Sequence, residues 1–191
     1  MALALTLVAA GCRKKTDDSI ANEDRKPAQK QGSTSPSAGP KWNDPLVAGA
    51  ARKDAQTEAY RALGSIETGS KMAFQIDTDS SGEGIGPFVH TFCPNGAIAV
   101  PPTPPTAPYP SKPEDWEVDP WKCLKFSMGK PQLCSYQYRS NGKSGVASAY
   151  SAIATCDPGG DGQLMRITLK GKGSDSGEAI RDALIVEDPV K

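Results

Sequence analysis

The sequence is short of imidazole, of net charge, of long apolar runs and of paired metal-ligand motifs. Among 191 residues there is one histidine, His90, which leaves few ways to build an acid/base or metal site that depends on imidazole. Lys and Arg total 22 and Asp and Glu total 22, so the formal net charge is zero. A nucleic-acid binder normally needs a basic excess to displace phosphate counterions, so no nucleic-acid partner is expected. No CxxC pair occurs among the five cysteines. What the chain does have is glycine (19) and proline (17), about a fifth of its residues, against roughly 12% on average. A fold rich in turns follows, with room for one domain of ordinary size plus accessory segments.

Residues 1–11 are apolar except for Thr6 and Gly11. About ten apolar residues are too few for a permanent membrane span but suit a signal-peptide core. Ala9, Ala10 and Gly11 then lead into Cys12, so "AAGC" resembles the lipobox of bacterial lipoproteins, with Cys12 as the acylated residue and residues 1–11 as the signal peptide. Ala9 stands where lipoboxes most often have Leu. No Lys or Arg precedes the run, which implies a true start upstream of Met1. The competing reading of Cys12 is an ordinary free or buried cysteine. The implied partner is a membrane, reached through the lipid on Cys12, and the implied location is the cell envelope. Arg13 and Lys14 lack the aspartate that retains lipoproteins at the inner membrane, which favours the outer membrane, on its periplasmic or surface face.

From residue 12 to 42 the chain is dense in Lys, Asp, Gln, Ser, Pro and Gly and nearly devoid of apolar side chains. It cannot bury enough surface to offset its ordering entropy and is expected to be a disordered tether. At about 30 residues its ends would lie on the order of 30 Å apart. The head, 43–191, starts with a predicted helix from about Pro45 to Phe74. Asp44 is its N-cap, Pro45 its first position, and Gly64 and Gly69 its weak points. Ala59, Leu63 and Ile66 share one stripe, which predicts an amphipathic helix facing a sheet.

A long loop is expected next. Prolines at 101, 102, 104, 105, 108, 110 and 113 exclude a regular helix or strand there. The alternative is a recognition peptide for an aromatic groove. Beyond it, WKCLKFSM, QLCSYQYRS, GVASAYSAIATC, GQLMRITLKG and EAIRDALIVED carry short apolar or alternating runs divided by turn residues. The architecture read from these is α+β: a long N-terminal helix on an antiparallel sheet of about four strands, with a long proline-rich loop.

With Cys12 set aside, four cysteines remain, and in an exported protein disulfides are the default. Four cysteines permit three pairings. Cys134 and Cys156 fall on strands joined through a hairpin-like connection and can sit opposite each other. That leaves Cys93, in the long loop, for Cys123, read as lying on the first strand. Zinc is the alternative, but spacings of 30, 11 and 22 residues are unlike finger or ribbon patterns.

Other constellations are weaker. DTDSSG at 77–82 offers Asp77, Asp79 and Ser81 like the start of a calcium loop, but the twelfth position is Phe88 instead of Glu. DPGGDG at 157–162 offers Asp157 and Asp161. Both read as turns, with these four aspartates as the weak metal candidates and no cofactor expected. GEGIG lacks a following Lys-Ser/Thr, so phosphate binding is not expected. His90 reads as a partly exposed loop residue, and Trp116 and Trp121 as packing between loop and sheet more than a ligand cage.

The order helix, loop, antiparallel sheet resembles the heads of type IV pilins and pseudopilins. ARKDAQTEAYRALGSIETGSKMAFQ is similar to the second half of a pilin's first helix. WKCLKFSMGKPQLCSYQYRSNG, ATCDPGGDGQLMRITLKG and the IVEDP ending resemble segments of pilin-like proteins of delta-proteobacteria and myxobacteria. About 140 residues are covered. The hydrophobic first half of a pilin helix, which packs fibre cores, is replaced here by the tether and Cys12. The resemblance therefore implies a pilin-like head on a membrane tether. Its role would be structural or interactive and non-enzymatic, with partners in a type IV pilus or type II secretion system. The other function class considered is a periplasmic lipoprotein that binds calcium or a small molecule through the proline-rich loop and the DPGGDG turn. No acid/base pair or nucleophile–base set can be named for an enzyme.

Overall fold

A computed structural model describes residues 45–79, 88–96 and 98–190. The signal segment, Cys12 and the tether fall outside the described residues. Helix α1 runs Pro45–Gln75. Alanine is frequent in its sequence and is the best helix former, and Pro45 stands at the first position, where its missing N–H costs nothing. Its buried positions are Ala55, Ala59, Ala62, Leu63, Ile66, Glu67, Ser70 and Phe74, which recur at spacings of three and four. Five of these eight are small or polar. The close approach of α1 to the sheet thus depends as much on little side chains as on large apolar ones.

After α1, a short ribbon pairs β1 (Asp77–Asp79) with β2 (Phe88–His90), antiparallel, in a region read from sequence as loop. The described residues of 91–120 then run without a named helix or strand apart from a 3-10 turn at Pro113–Trp116. The expected first strand, WKCLKFSM, is corrected by the structure. Trp121–Leu124 forms a short helical turn, α2, and Cys123 lies in it. Pro120 fixes the backbone entering the turn, and Trp121 and Leu124 both bury from it. Lys125 closes the turn in the left-handed region at φ 51°.

Four strands follow as an antiparallel meander: β3 (Cys134–Ser140), β4 (Ala149–Cys156), β5 (Met165–Gly173) and β6 (Ala179–Glu187). Helix and sheet make the protein α+β, and α1 packs across all four strands. On the buried face large and small residues alternate between strands. Tyr138 stands opposite Ala152 and Ala152 opposite Leu169, and Tyr136 opposite Ala154 and Ala154 opposite Ile167. The ring of Tyr150 occupies the space where a side chain on Gly171 would be.

The proline-rich segment is pinned to the outer edge of β3. Val100 and Tyr136 exchange two backbone hydrogen bonds of 2.8 Å, as do Tyr109 and Gln132, and the Gly96 N–H donates to the Tyr138 carbonyl at 3.1 Å. The Ser135 hydroxyl donates to the Pro101 carbonyl at 2.6 Å. This edge is therefore covered by its own chain.

Candidate functional site

Two disulfides organise the head. Cys134 and Cys156 are direct cross-strand partners on β3 and β4, with Cα atoms 4.2 Å apart, and both are fully buried. Cys93 and Cys123, with Cα atoms 5.8 Å apart, tie the segment after β2 to α2. Around the second bridge the indoles of Trp116 and Trp121 meet edge to face at 5.2 Å, and Phe126 packs on both. The Trp116 indole N–H donates to the Ser111 hydroxyl at 2.8 Å. These two tryptophans are core.

The Cys93–Cys123 bridge also walls a groove of about 880 Å³. Its lining comes from four separate stretches: the end of α1 with the residue after it (Met72, Ile76), the segment carrying Phe92, the end of α2 with the residue after it (Leu124, Lys125) and the β3–β4 connection (Asn141). Each stretch is held locally. An isolated bridge between Thr91 and Ser144 sets the Phe92 segment against the β3–β4 connection. Phe92 stacks on Phe74 at 4.6 Å and meets Tyr150 edge-on at 4.7 Å. α2 can lie against α1 only because position 69 is glycine, since a Cβ there would run into the Leu124 carbonyl. Asn141 shapes the connection by accepting from the N–H groups of Lys143 and Ala149, both at 3.1 Å, and donating to the Ala147 carbonyl at 2.8 Å.

The chemistry of this groove is apolar with a polar rim. Met72 is 50% exposed and Ile76 is 62% exposed, high values for large apolar side chains. Lys125 is the one charged residue of the groove lining, with Asn95 and Asn141 among the polar ones. Such a surface suits an apolar segment of another chain, with the rim available to its backbone or to an acidic group.

Away from the groove, charged groups tie α1 to the sheet. Glu58 accepts hydrogen bonds from the Leu133 N–H at 2.9 Å and from the Tyr136 hydroxyl at 2.8 Å. Burial, followed by the Glu58 charge, pushes the Tyr136 hydroxyl far above the ordinary tyrosine range. Burial likewise raises Tyr138 and Tyr150. Burial also pushes the Glu67 carboxyl up, but hydrogen bonds and charge from Arg181 and Lys71 outweigh it and hold Glu67 below the usual carboxylate range.

Two of the weak metal candidates, Asp157 and Asp161, are engaged by backbone N–H groups. Both Asp157 carboxylate oxygens accept from the Gly162 N–H, at 3.3 and 3.2 Å, and Asp161 accepts from the Gln163 N–H at 2.9 Å. Each closes its own turn. A smaller cleft of about 340 Å³ lies where the proline-rich loop, Pro158 and the first half of α1 meet. Asp77 and Asp79 are on β1, while Ser81 and the GEGIG glycines fall outside the described residues. Among the described residues no group of three or more His, Cys, Asp or Glu is placed to hold a metal ion. His90 lies on β2, not in a loop, with its ring 5.5 Å from that of Phe74. No described helix is long and apolar enough to cross a membrane.

Comparison with known proteins finds no matching family model, no matching curated protein and no matching solved structure.

Proposed function

We propose that the chain is a non-enzymatic lipoprotein of the cell envelope, anchored through Cys12, whose pilin-like head acts as an interaction module at the end of a tether. In this reading α1 is the long amphipathic N-terminal helix of the head, and the head serves a type IV pilus or type II secretion assembly as an accessory. The observation that carries the interaction role is the groove beside Cys93–Cys123, an apolar surface with Met72 and Ile76 left exposed. Contiguous exposed apolar surface marks protein interaction sites more often than singly scattered apolar side chains do. Two disulfides support export to an oxidising compartment. The lipobox-like AAGC and the polar stretch after it support an anchor and tether.

The test is binding of the full chain to individually purified pilus and secretion components, compared with Met72→Asp and Ile76→Asp. Both side chains are exposed, so the variants should fold. The expected result is a complex with one component that either substitution weakens at least tenfold. No complex with any component, or a complex indifferent to both substitutions, would contradict the groove as the interaction site.

A further inference from the structure

The two edges of the main sheet are treated differently. The outer edge of β3 is met by backbone hydrogen bonds from Gly96 and Val100, whereas among the described residues no strand pairs with the outer edge of β6. β6 is nine residues long. Ile180, Leu184, Ile185 and Val186 are each 40% exposed or more. An open edge of this length with a run of large apolar residues is a template for another strand. Natural edges are usually blunted by charge, whereas here Arg181, Asp182 and Glu187 leave the stretch Ala183–Val186 without any.

From this edge we infer that β6 pairs antiparallel with β6 of a second copy, about a two-fold axis at Ile185. The register follows from the faces. Leu184 and Val186 stand opposite the buried Leu169 and Ile167 of β5 and so share the helix side, while Ala183, Ile185 and Glu187 share the open side. In an antiparallel pair only residues on one face can stand opposite each other. Centred on Ile185, Leu184 meets Val186 of the second copy twice, Ile185 meets Ile185, and Ala183 meets Glu187.

Charge supports the same register. β5 pairs Lys170 with Ala183 but Gly171 with Arg181, so Asp182 is an extra residue in a bulge and Arg181 moves one slot along the strand. That slot lies opposite Asp188 of the second copy. Arg181 already pairs with Glu67, and Asp188 with Arg52. Both side chains therefore sit on the helix side, and each intermolecular pair would join two existing ion pairs into one network. Asp182 is held by Lys172 at 2.7 Å, clear of the seam. The product is an isologous dimer with one eight-stranded sheet. It closes because the β3 edges at its ends are already covered.

The test uses the full chain carrying Cys12→Ser, which also removes the fifth cysteine. Sedimentation over micromolar to millimolar concentration is expected to show a monomer–dimer equilibrium. Leu184→Lys should abolish the dimer, and adding Val186→Glu should restore it, because the two substituted positions face each other across the axis. Ile185→Cys should give a disulfide-linked dimer on oxidation, and Ile180→Cys should not. A wild-type chain that stays monomeric, open-ended oligomers, an unaffected Leu184→Lys dimer, or no rescue by the second substitution would each overturn the proposal.

Discussion

Glu58 and Tyr136 join the middle of α1 to the middle of β3, with the phenol hydroxyl donating to the carboxylate at 2.8 Å. The same carboxylate takes the Leu133 N–H, so one side chain satisfies a side-chain and a backbone donor at the helix–sheet seam. Glu58→Ala leaves both donors without this partner and is expected to lower stability by about 1–3 kcal/mol. Glu58→Gln keeps an acceptor oxygen and should cost less. Urea unfolding followed by circular dichroism measures both. Equal stability of Glu58→Ala and wild type would show that the seam does not depend on this contact.

Two glycines of one helix should respond in opposite directions. A methyl group added at Gly64 would meet nothing within 4 Å, whereas one at Gly69 would run into the Leu124 carbonyl. Gly64→Ala is expected to stabilise by about 0.5–1 kcal/mol through helix propensity. Gly69→Ala should instead push α2 away and destabilise by about 1–3 kcal/mol. Thermal unfolding of both variants checks the pair, and a stabilised Gly69→Ala would contradict the tight α1–α2 contact that forms the groove wall.

The disulfides should separate by location more than by energy. Their sequence separations are 30 and 22 residues, for which loop closure gives about 3.5 kcal/mol each. Replacing Cys93 and Cys123 by Ser should raise hydrogen exchange in 93–96 and 121–125 while β3 and β4 stay protected. Replacing Cys134 and Cys156 by Ala should lower protection throughout the sheet. Indistinguishable exchange maps would contradict the assignment of Cys93–Cys123 to the groove wall.

Acid should weaken the Glu67–Arg181–Lys71 cluster. The folded carboxyl titrates below its unfolded value, which is about 4.3, so the unfolded chain binds this proton more readily. The stabilisation is then complete above the unfolded value and is lost as pH falls through the folded one. Glu67→Gln should flatten the acid limb of the stability profile, and an unchanged limb would count against the cluster.

The legible parts of this fold were those with local pattern. β4 and β5 alternate buried and more open residues, and all four strands are punctuated by turn sequences, so their order and the facing of Cys134 and Cys156 could be read from spacing. WKCLKFSM misled because a few mixed apolar residues resemble a strand, while Trp121 and Leu124 also fit one helical turn entered from Pro120. The β1–β2 ribbon was hidden by its polar Asp-Thr-Asp strand. The groove had no sequence signal of its own. Its residues come from stretches brought together by a disulfide, a glycine contact and an isolated bridge, and none of these follows from neighbouring residues. The difference between the sheet edges was hidden for the same reason, since proline content predicted a loop but not where it would lie.

A tethered head needs an anchor, so lipidation of Cys12 is the step on which the proposed role depends most. Metabolic labelling with a palmitate analogue, followed by membrane fractionation of wild type and Cys12→Ser, tests it directly. The predicted result is label and membrane association in the wild type and loss of both in Cys12→Ser. Label that persists in the variant, or a wild type that takes up none, would contradict lipidation at Cys12 and with it the tethered reading of the head.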